Sequence, residues 1–440
     1  MYLSDYKDVF KSKTKRFFDK ARTYCHGIFM SELSNIERIS EEMCADYHQM
    51  QHFITESPWD HRELIDKASL DVSRNLPKQK LTGLIIDESG WEKKGEKSVG
   101  VAPQYCGNVG KVSNSQVAVF AALSNGDFAS LVDAELFLPE SWCNNAARCK
   151  EAGIPKESRI FKPKWEIGID IITRQKSLGV KFDYVGADGY YGNSLDFTEA
   201  IEEMGYVYML DIHSDLRVYL EKAEIAVPDK KGKRGRKPTK VQPLSESIRV
   251  DRYMSGLKEY DWQELEVRNT TKGKLRADYH FITVFIWDED NNQMLRRLLV
   301  IRRRRTKKGD YEYKYSFTNA NLEQYTEKGI AYMQAQRFFV EHSLKESKQI
   351  LGMDKYQTRK WSAWYHQIAL NILLAAFMLK EKLICFDNIP LLSARDIKQW
   401  IVFKLYKQIS EDDLIEQIME RHCRRQTDIN NAYKKQKLMC

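Results

Sequence analysis

The sequence predicts an α/β protein: a sheet that starts with antiparallel neighbours and continues by helix crossovers, with helical regions at both ends and a β-rich basic block set into it. Three observations predict this. Apolar runs at residues 81–90, 117–126 and 128–138 follow one another with only the turn Ser124-Asn125-Gly126-Asp127 between the last two, the pattern of meandering strands. Residues 165–179, 182–188, 194–205 and 206–212 then alternate between helical and strand periodicity. From about 213 to 320 the chain turns alternating and basic, with turn residues at Thr271-Lys272-Gly273 and Asp290-Asn291-Asn292.

Taken in order, residues 1–75 show helical spacing, as in Ile36 to Ile54, and Pro58-Trp59 breaks one helix from the next. A small helical N-terminal domain is expected here. The first strand is expected to run from Leu81 and end at Asp87, and a later strand, Phe182 onward, to end at Asp188. Three antiparallel strands followed by helix, strand, helix and strand make a ribonuclease-H-like arrangement. The predicted catalytic core therefore occupies 76–212, is interrupted by a β-rich insertion domain at 213–320, and resumes at 321–380 with one helix from Leu322 to Leu351. A helical C-terminal region follows at 381–440.

A chain of 440 residues with 42% hydrophobic and 30% charged residues is that of a soluble globular protein of two or three domains. The net charge of +8 is unevenly spread, with dense patches at Lys230–Lys237 and Arg302–Lys308, which point to a polyanionic partner. Eight scattered cysteines include no Cys-x2-Cys pair, so neither a zinc ribbon nor a disulfide framework is indicated, and reduced thiols in a reducing cytosol are expected. The N-terminus lacks the apolar core of a signal peptide. The most apolar window, Ile368 to Leu379, is shorter than the ~20 residues a membrane span needs, so a buried helix and no membrane association are expected.

Arg337, Glu341 and Lys348 lie at offsets of four and eleven. On a continuous helix these offsets keep all three within roughly 40° of one face. A carboxylate flanked by two cations can hold a divalent metal against a polyanion while the cations grip phosphates. The same spacing also describes an ordinary surface helix with intrahelical ion pairs. Asp87 and Asp188 tip the balance, because aspartates at strand ends gather at one rim of a sheet. Three carboxylates from three elements suit a two-metal phosphoryl-transfer site, and Mg²⁺, with Mn²⁺ as a substitute, favours such ligands.

Arg337, Glu341 and Lys348 meet the Arg-x3-Glu-x6-Lys part of a motif, and Asp87-Glu88-Ser89-Gly90, Ala187–Asn193 and Gly352–Phe377 extend the match. With these stretches the chain resembles the DDE transposases of bacterial insertion sequences, in the cut-and-paste group with an inserted β-domain, over residues 45–425. That group carries a tyrosine where this chain has Gln334, with Tyr332 two residues earlier, and one branch more often has Asp-Asp-Thr-Gly at 87–90. The resemblance implies that Asp87, Asp188 and Glu341 bind two Mg²⁺ ions. It implies cleavage of each transposon end to a 3′-hydroxyl, a hairpin intermediate, and joining to target DNA by a homodimer that pairs terminal inverted repeats. Arg337 and Lys348 would hold phosphates, and Trp262, or else Trp287, would stack on a flipped base.

Other patterns in the chain have plainer readings. Gly232–Pro238 resembles a minor-groove AT-hook, with Lys233, Arg234 and Arg236 as DNA contacts, but Lys237 interrupts its core and a phosphate-binding loop fits as well. Arg303 and Arg304 are the DNA contacts expected in the basic stretch after 301. His48 and His52 have zinc spacing, yet Gln49 stands where a metalloprotease needs glutamate. Glycines before Lys111 are too close for a phosphate loop, so no nucleotide cofactor is expected. Glu88 and His342 adjoin the carboxylates but point to other faces. The expected protein is thus a cytoplasmic, nucleoid-associated, Mg²⁺-dependent transposase. The rivals are a catalytically silent DNA-binding regulator and a nuclease without strand transfer.

Overall fold

The computed structural model describes residues 2–229, 238–270, 273–406 and 410–438. The chain forms two compact units, Met1–Phe182 with Phe338–Lys435, and Asp183–Arg337 with Gln436–Cys440. The composition shifts at 75, 212, 320 and 380 thus fall inside units rather than between them.

The first unit opens with helices α1 (Phe18–Met30), α2 (Ile36–Glu42), α3 (Tyr47–Thr55) and α4 (His61–Asn75). Asn35, Asp46 and Asp60 cap α2, α3 and α4 by accepting bonds from the first-turn amides, which otherwise lack partners. The periodic stretch 36–54 is two helices because Cys44, at φ 48°, leaves the right-handed region between them. Strands β1 (Gly83–Glu92), β2 (Ala102–Cys106), β3 (Lys111–Asn125) and β4 (Phe128–Leu136) follow, then α5 (Lys164–Leu178). β3 pairs antiparallel with β1, with β4 and, at its N-terminal end, with β2. The turn into β4 uses Gly126 at φ 66°, a conformation glycine adopts without steric cost.

Two sequence expectations are corrected here. β1 does not stop at Asp87: burial resumes at Ser89, Gly90 and Trp91, so the polar pair Asp87-Glu88 lies inside the strand. The hairpin formed by β2 and the start of β3 was not foreseen, because its polar and glycine-rich residues carry little apolar alternation.

Beyond β5 (Tyr184–Ala187), the second unit contains α6 (Leu195–Glu203), β6 (Val207–Asp211), β7 (Gln263–Thr270), β8 (Gly273–Asp288), β9 (Gln293–Arg305), β10 (Tyr311–Thr318) and α7 (Glu327–Gln336). β5 and β6 are parallel, joined by the crossover helix α6 as their spacing predicts. β10 pairs antiparallel with β6, and β9, β8 and β7 extend the same sheet in an antiparallel run. Asn292, at φ 51°, closes the turn between β8 and β9. The Thr271-Lys272 part of the other predicted turn lies outside the described residues.

The chain then returns to the first unit as α8 (Phe338–Leu351), α9 (Trp361–Ile384), α10 (Ala394–Tyr406) and α11 (Glu411–Leu438). The single helix expected from Leu322 to Leu351 is therefore two helices, with Arg337 between them. α8 packs on β1, β3 and β4, while α9 is apolar around most of its circumference and is buried against α3, α4, α8 and β4. Among the described residues, no helix is long and apolar enough to cross a membrane.

Candidate active site

In the first unit the relevant residues converge on β1. Asp87 stands opposite Phe120 of β3 and is half-buried, its Oδ1 accepting from the Glu88 amide at 2.8 Å. Glu88 is ion-paired with Lys164. Three residues beyond Asp87, the Gly90 carbonyl accepts from Lys348 Nζ at 3.1 Å and from Asn108 Nδ2 at 2.6 Å. Lys348 also lies 5.7 Å from the centre of the Trp91 ring. Burial lowers the Lys348 pKa, while Asp354, Cys106 and Asp87 act to raise it. The strand is closely packed here: a Cβ on Gly90 would lie 3.0 Å from Val117 Cγ2 and 3.3 Å from Cys106 Sγ.

A polar cluster stiffens the far end of β1. Trp91 Nε1 donates to Gln116 Oε1 at 3.1 Å, the Tyr356 hydroxyl donates to the same oxygen, and Lys93 Nζ donates to the Tyr356 carbonyl at 2.9 Å. Burial drops the Lys93 pKa to about 8. Glu341 sits exposed in the first turn of α8, two turns from Lys348 and on the same side of the helix.

The second unit holds the remaining predicted carboxylate. Asp188 directly follows β5, as the sequence predicts, and its Oδ1 caps the next turn by accepting from the Tyr190 amide at 3.0 Å. That turn lies against the end of β6, so closely that a Cβ on Gly192 would fall 1.9 Å from the Asp211 carbonyl oxygen. Because Ala187 and Leu210 are register partners, Asp188 and Asp211 leave neighbouring parallel strands at the same rim.

Asp211 is the residue that sequence reasoning missed. Its Oδ2 pairs with Arg337 Nε at 2.8 Å and with Lys314 Nζ at 3.5 Å, and its Oδ1 accepts from Ser316 Oγ at 2.8 Å. Ser316 in turn accepts from Gln334 Nε2 at 2.9 Å. The buried Gln334, at the tyrosine position of the motif, is thus the far end of a relay that reaches Arg337 through Ser316 and Asp211. The signal available in sequence was a third aspartate at a strand end, in Tyr206–Ile212.

The expected face of Arg337, Glu341 and Lys348 is not one helix face. Arg337 ends α7 in the second unit, and Glu341 and Lys348 belong to α8 in the first. The three carboxylates divide likewise, Asp87 and Glu341 in the first unit and Asp188 in the second. Among the described residues, no three His, Cys, Asp or Glu side chains form a group that could hold a metal ion. The donor chemistry of the three still suits a hard divalent cation, since all are carboxylates.

Of the basic residues, Arg303 is buried between Asp278 (2.8 Å) and Glu259 (3.0 Å), with its guanidinium 4.5 Å from the Trp262 ring centre and 4.6 Å from that of Tyr311. One arginine thereby ties β9 to β8 and occupies a face of Trp262. Arg304 is half exposed and pairs with Glu312 at 3.3 Å. Trp287 is half-buried in β8. Lys233, Arg234 and Arg236 lie outside the described residues. His48 and His52 line a surface cleft that Glu37 and Glu56 also line, and among the described residues these side chains do not gather into a group of three that could hold a metal ion.

Residues 5–274 match the family model described as DDE superfamily endonuclease. The chain belongs to that superfamily. The family resemblance read from the motifs holds at this level, and the matched stretch of this DDE-superfamily chain includes Asp87 and Asp188 and ends before Glu341. The chain is also 32% identical over 222 residues to the probable transposase for insertion sequence element IS701 of Microchaete diplosiphon. That alignment covers 49% of this chain and 53% of the relative, so the chain spans about half the length of the curated relative it matches. A similarity to the piggyBac transposase, solved by cryo-EM in a synaptic complex with hairpin DNA, covers 95% of this chain and 80% of that one at 10% identity and a TM-score of 0.35.

Proposed function

We propose that this DDE-superfamily endonuclease is the transposase of an insertion sequence, cutting transposon ends and joining them to target DNA. The observation that carries the reading is the family match across a stretch containing Asp87 and Asp188, on elements of a mixed sheet. The 32% identity to a probable insertion-sequence transposase supports the same substrate class.

In this reading the first unit's sheet and the parallel pair β5–β6 are the two parts of a ribonuclease-H-like core, and β7–β10 are its inserted basic strands. Asp87, Asp188 and Glu341 would hold Mg²⁺, which when bound stabilises charge on the attacking and leaving oxygens of an in-line displacement. Water attacks the scissile phosphorus, the bond to the 3′-oxygen breaks, and a 3′-hydroxyl and a 5′-phosphate remain. Lys348, held over Gly90, and Arg337, held by Asp211, grip phosphates on either side. The new 3′-hydroxyl then attacks the opposite strand to give a hairpin end, which is reopened before joining. A homodimer pairs the two ends.

The test combines protein, Mg²⁺ or Mn²⁺, DNA carrying the element's terminal inverted repeats, and a target plasmid. Joined products are expected. Cut ends without joining would replace the reading with a plain nuclease, and bound but intact DNA would replace it with a silent binder. Asp87→Asn, Asp188→Asn and Glu341→Gln should each lower cleavage by about 10³-fold or more, roughly 4 kcal/mol of barrier, with DNA binding retained. Chelation of divalent cations should have the same effect.

A further inference from the structure

The hairpin of β2 and β3 exposes an apolar pair on the ribbon that Asn108 joins to the carbonyl held by Lys348. Tyr105 and Val112 face each other across the ribbon and are 60% and 65% exposed. Direct cross-strand pairs of this kind normally cover one another against a core. Here the opposite face does that: Cys106 is fully buried, and the tip residue Asn108 reaches the Gly90 carbonyl at 2.6 Å, the same oxygen that Lys348 holds at 3.1 Å. One face of the ribbon is therefore fixed over β1, three residues from Asp87, while the other presents an aromatic ring and a branched side chain to solvent. The turn Gly107–Gly110 adds the exposed Val109, and Lys111 follows it, also exposed.

The surroundings of this face select its partner. Pro103 and Asn114 share the strand face of Tyr105 and Val112, and they line a cleft of about 620 Å³ whose walls carry Lys97, Arg148, Arg359 and Lys360 together with Glu96 and Glu151. Lys97 pairs with Glu151 at 3.8 Å and Lys360 with Glu56 at 2.6 Å, so Arg148 and Arg359 carry the cleft's uncompensated charge. The Arg148 guanidinium stacks 3.8 Å from the Trp142 ring centre and donates to the Glu96 carbonyl at 2.6 Å, which holds it in place. Among the described residues, Arg359 forms no ion pair with a carboxylate. Cations lining a groove beside an exposed aromatic are what a nucleic acid requires, the cations for phosphates and the ring for a base. The chain's membership of an endonuclease superfamily makes DNA the polyanion this face is matched to.

We infer that the β2–β3 hairpin is a DNA-end contact: Tyr105, backed by Val112, stacks on an unpaired base next to the scissile phosphate, while Arg148 and Arg359 take the flanking backbone. This rests on the proposed DNA-cutting function but assigns a role to residues which that reading does not use. The ribbon and Lys348 move as one piece because Gly90 joins them, so a base held by Tyr105 sets the position of the phosphate that Lys348 grips.

The test uses the full chain, Mg²⁺ and two forms of the terminal-repeat duplex, one fully paired and one with mismatches at the cleavage end. 2-Aminopurine at the end pairs reports unstacking in the bound state. Tyr105→Ala should cut the paired end about 10-fold more slowly and lose the fluorescence change, since base–aromatic stacking contributes ~1–3 kcal/mol. It should cut the mismatched end at nearly the wild-type rate, and Tyr105→Trp should restore the paired end. Both side chains are exposed, so the melting temperature should not move. Equal rates for wild type and Tyr105→Ala on the paired end, or an equal loss on both ends, would overturn the hairpin's role while leaving the cleavage reading intact. If the wild type unpairs the end but never cuts it, the cleavage reading fails and the hairpin's role stands.

Discussion

At Asp211 an arginine, a lysine and a serine meet one carboxylate, and the serine passes the contact on to Gln334. The arrangement gives the glutamine at the motif's tyrosine position a physical task. It orients Ser316, which fixes Asp211, which aims Arg337. Replacing Asp211 by asparagine removes the charge that holds Arg337 and leaves two half-buried cations poorly compensated, a cost of about 1–3 kcal/mol. Cleavage should fall about 10-fold, read as a lower kcat with DNA affinity changed less. Arg337→Lys should not restore it, because a lysine cannot reproduce the guanidinium's planar geometry. A kcat equal to wild type in Asp211→Asn would remove the positioning role. Asp87 and Asp188 were legible in sequence as polar residues closing apolar runs. Asp211 looked the same, and what distinguishes it is Ser316, Lys314 and Arg337, over one hundred positions away.

Elements were legible where periodicity was strong and turn chemistry explicit. The crossover between β5 and β6, the Gly126 turn and the capped N-terminal helices follow directly from residue pattern. The β2–β3 hairpin and the interruption at Arg337 do not, because tertiary contacts decide them. A second feature beyond periodicity is the junction of α4, β4 and α5. There Asp133, fully buried, accepts from Arg62 at 2.7 Å, Arg174 at 2.9 Å and Gln175 at 2.7 Å. The two arginines hold its carboxyl below the ordinary range against the opposing effect of burial. Asp133→Asn should destabilise the first unit by about 3–5 kcal/mol in denaturant unfolding, since two arginines lose their buried counter-charge; a loss under ~1 kcal/mol would contradict it. The same unit should be acid-sensitive. His61, pushed down to about 4 by burial, and His366, stacked 4.0 Å from the Trp59 ring and also lowered by burial, are neutral in the fold. An unfolded histidine takes up its proton near pH 6.5. Stability should therefore be complete above about pH 6.5 and fall by roughly 1–3 kcal/mol as the pH drops toward 4. His61→Phe should flatten that slope.

For the whole molecule, a net charge of +8 suits the proposed DNA partner without saying which cations would meet it. Composition treated Arg303 and Arg304 as equivalent, and their alternation along β9 makes them opposites. Arg303 is enclosed by Asp278, Glu259, Trp262 and Tyr311, whereas Arg304 is half exposed beside Glu312. Binding of terminal-repeat duplex measured against salt separates the two roles, because each phosphate contact adds about 0.9 to the slope of log K against log salt. Arg304→Ala should lower that slope by about 1 and leave the melting temperature in place. Arg303→Ala should leave the slope unchanged and lower the melting temperature, since Asp278 loses its buried partner and Trp262 the cation on its face. If the two variants exchange these outcomes, the buried arginine is released on binding and the basic strand contacts DNA through a conformation other than this one.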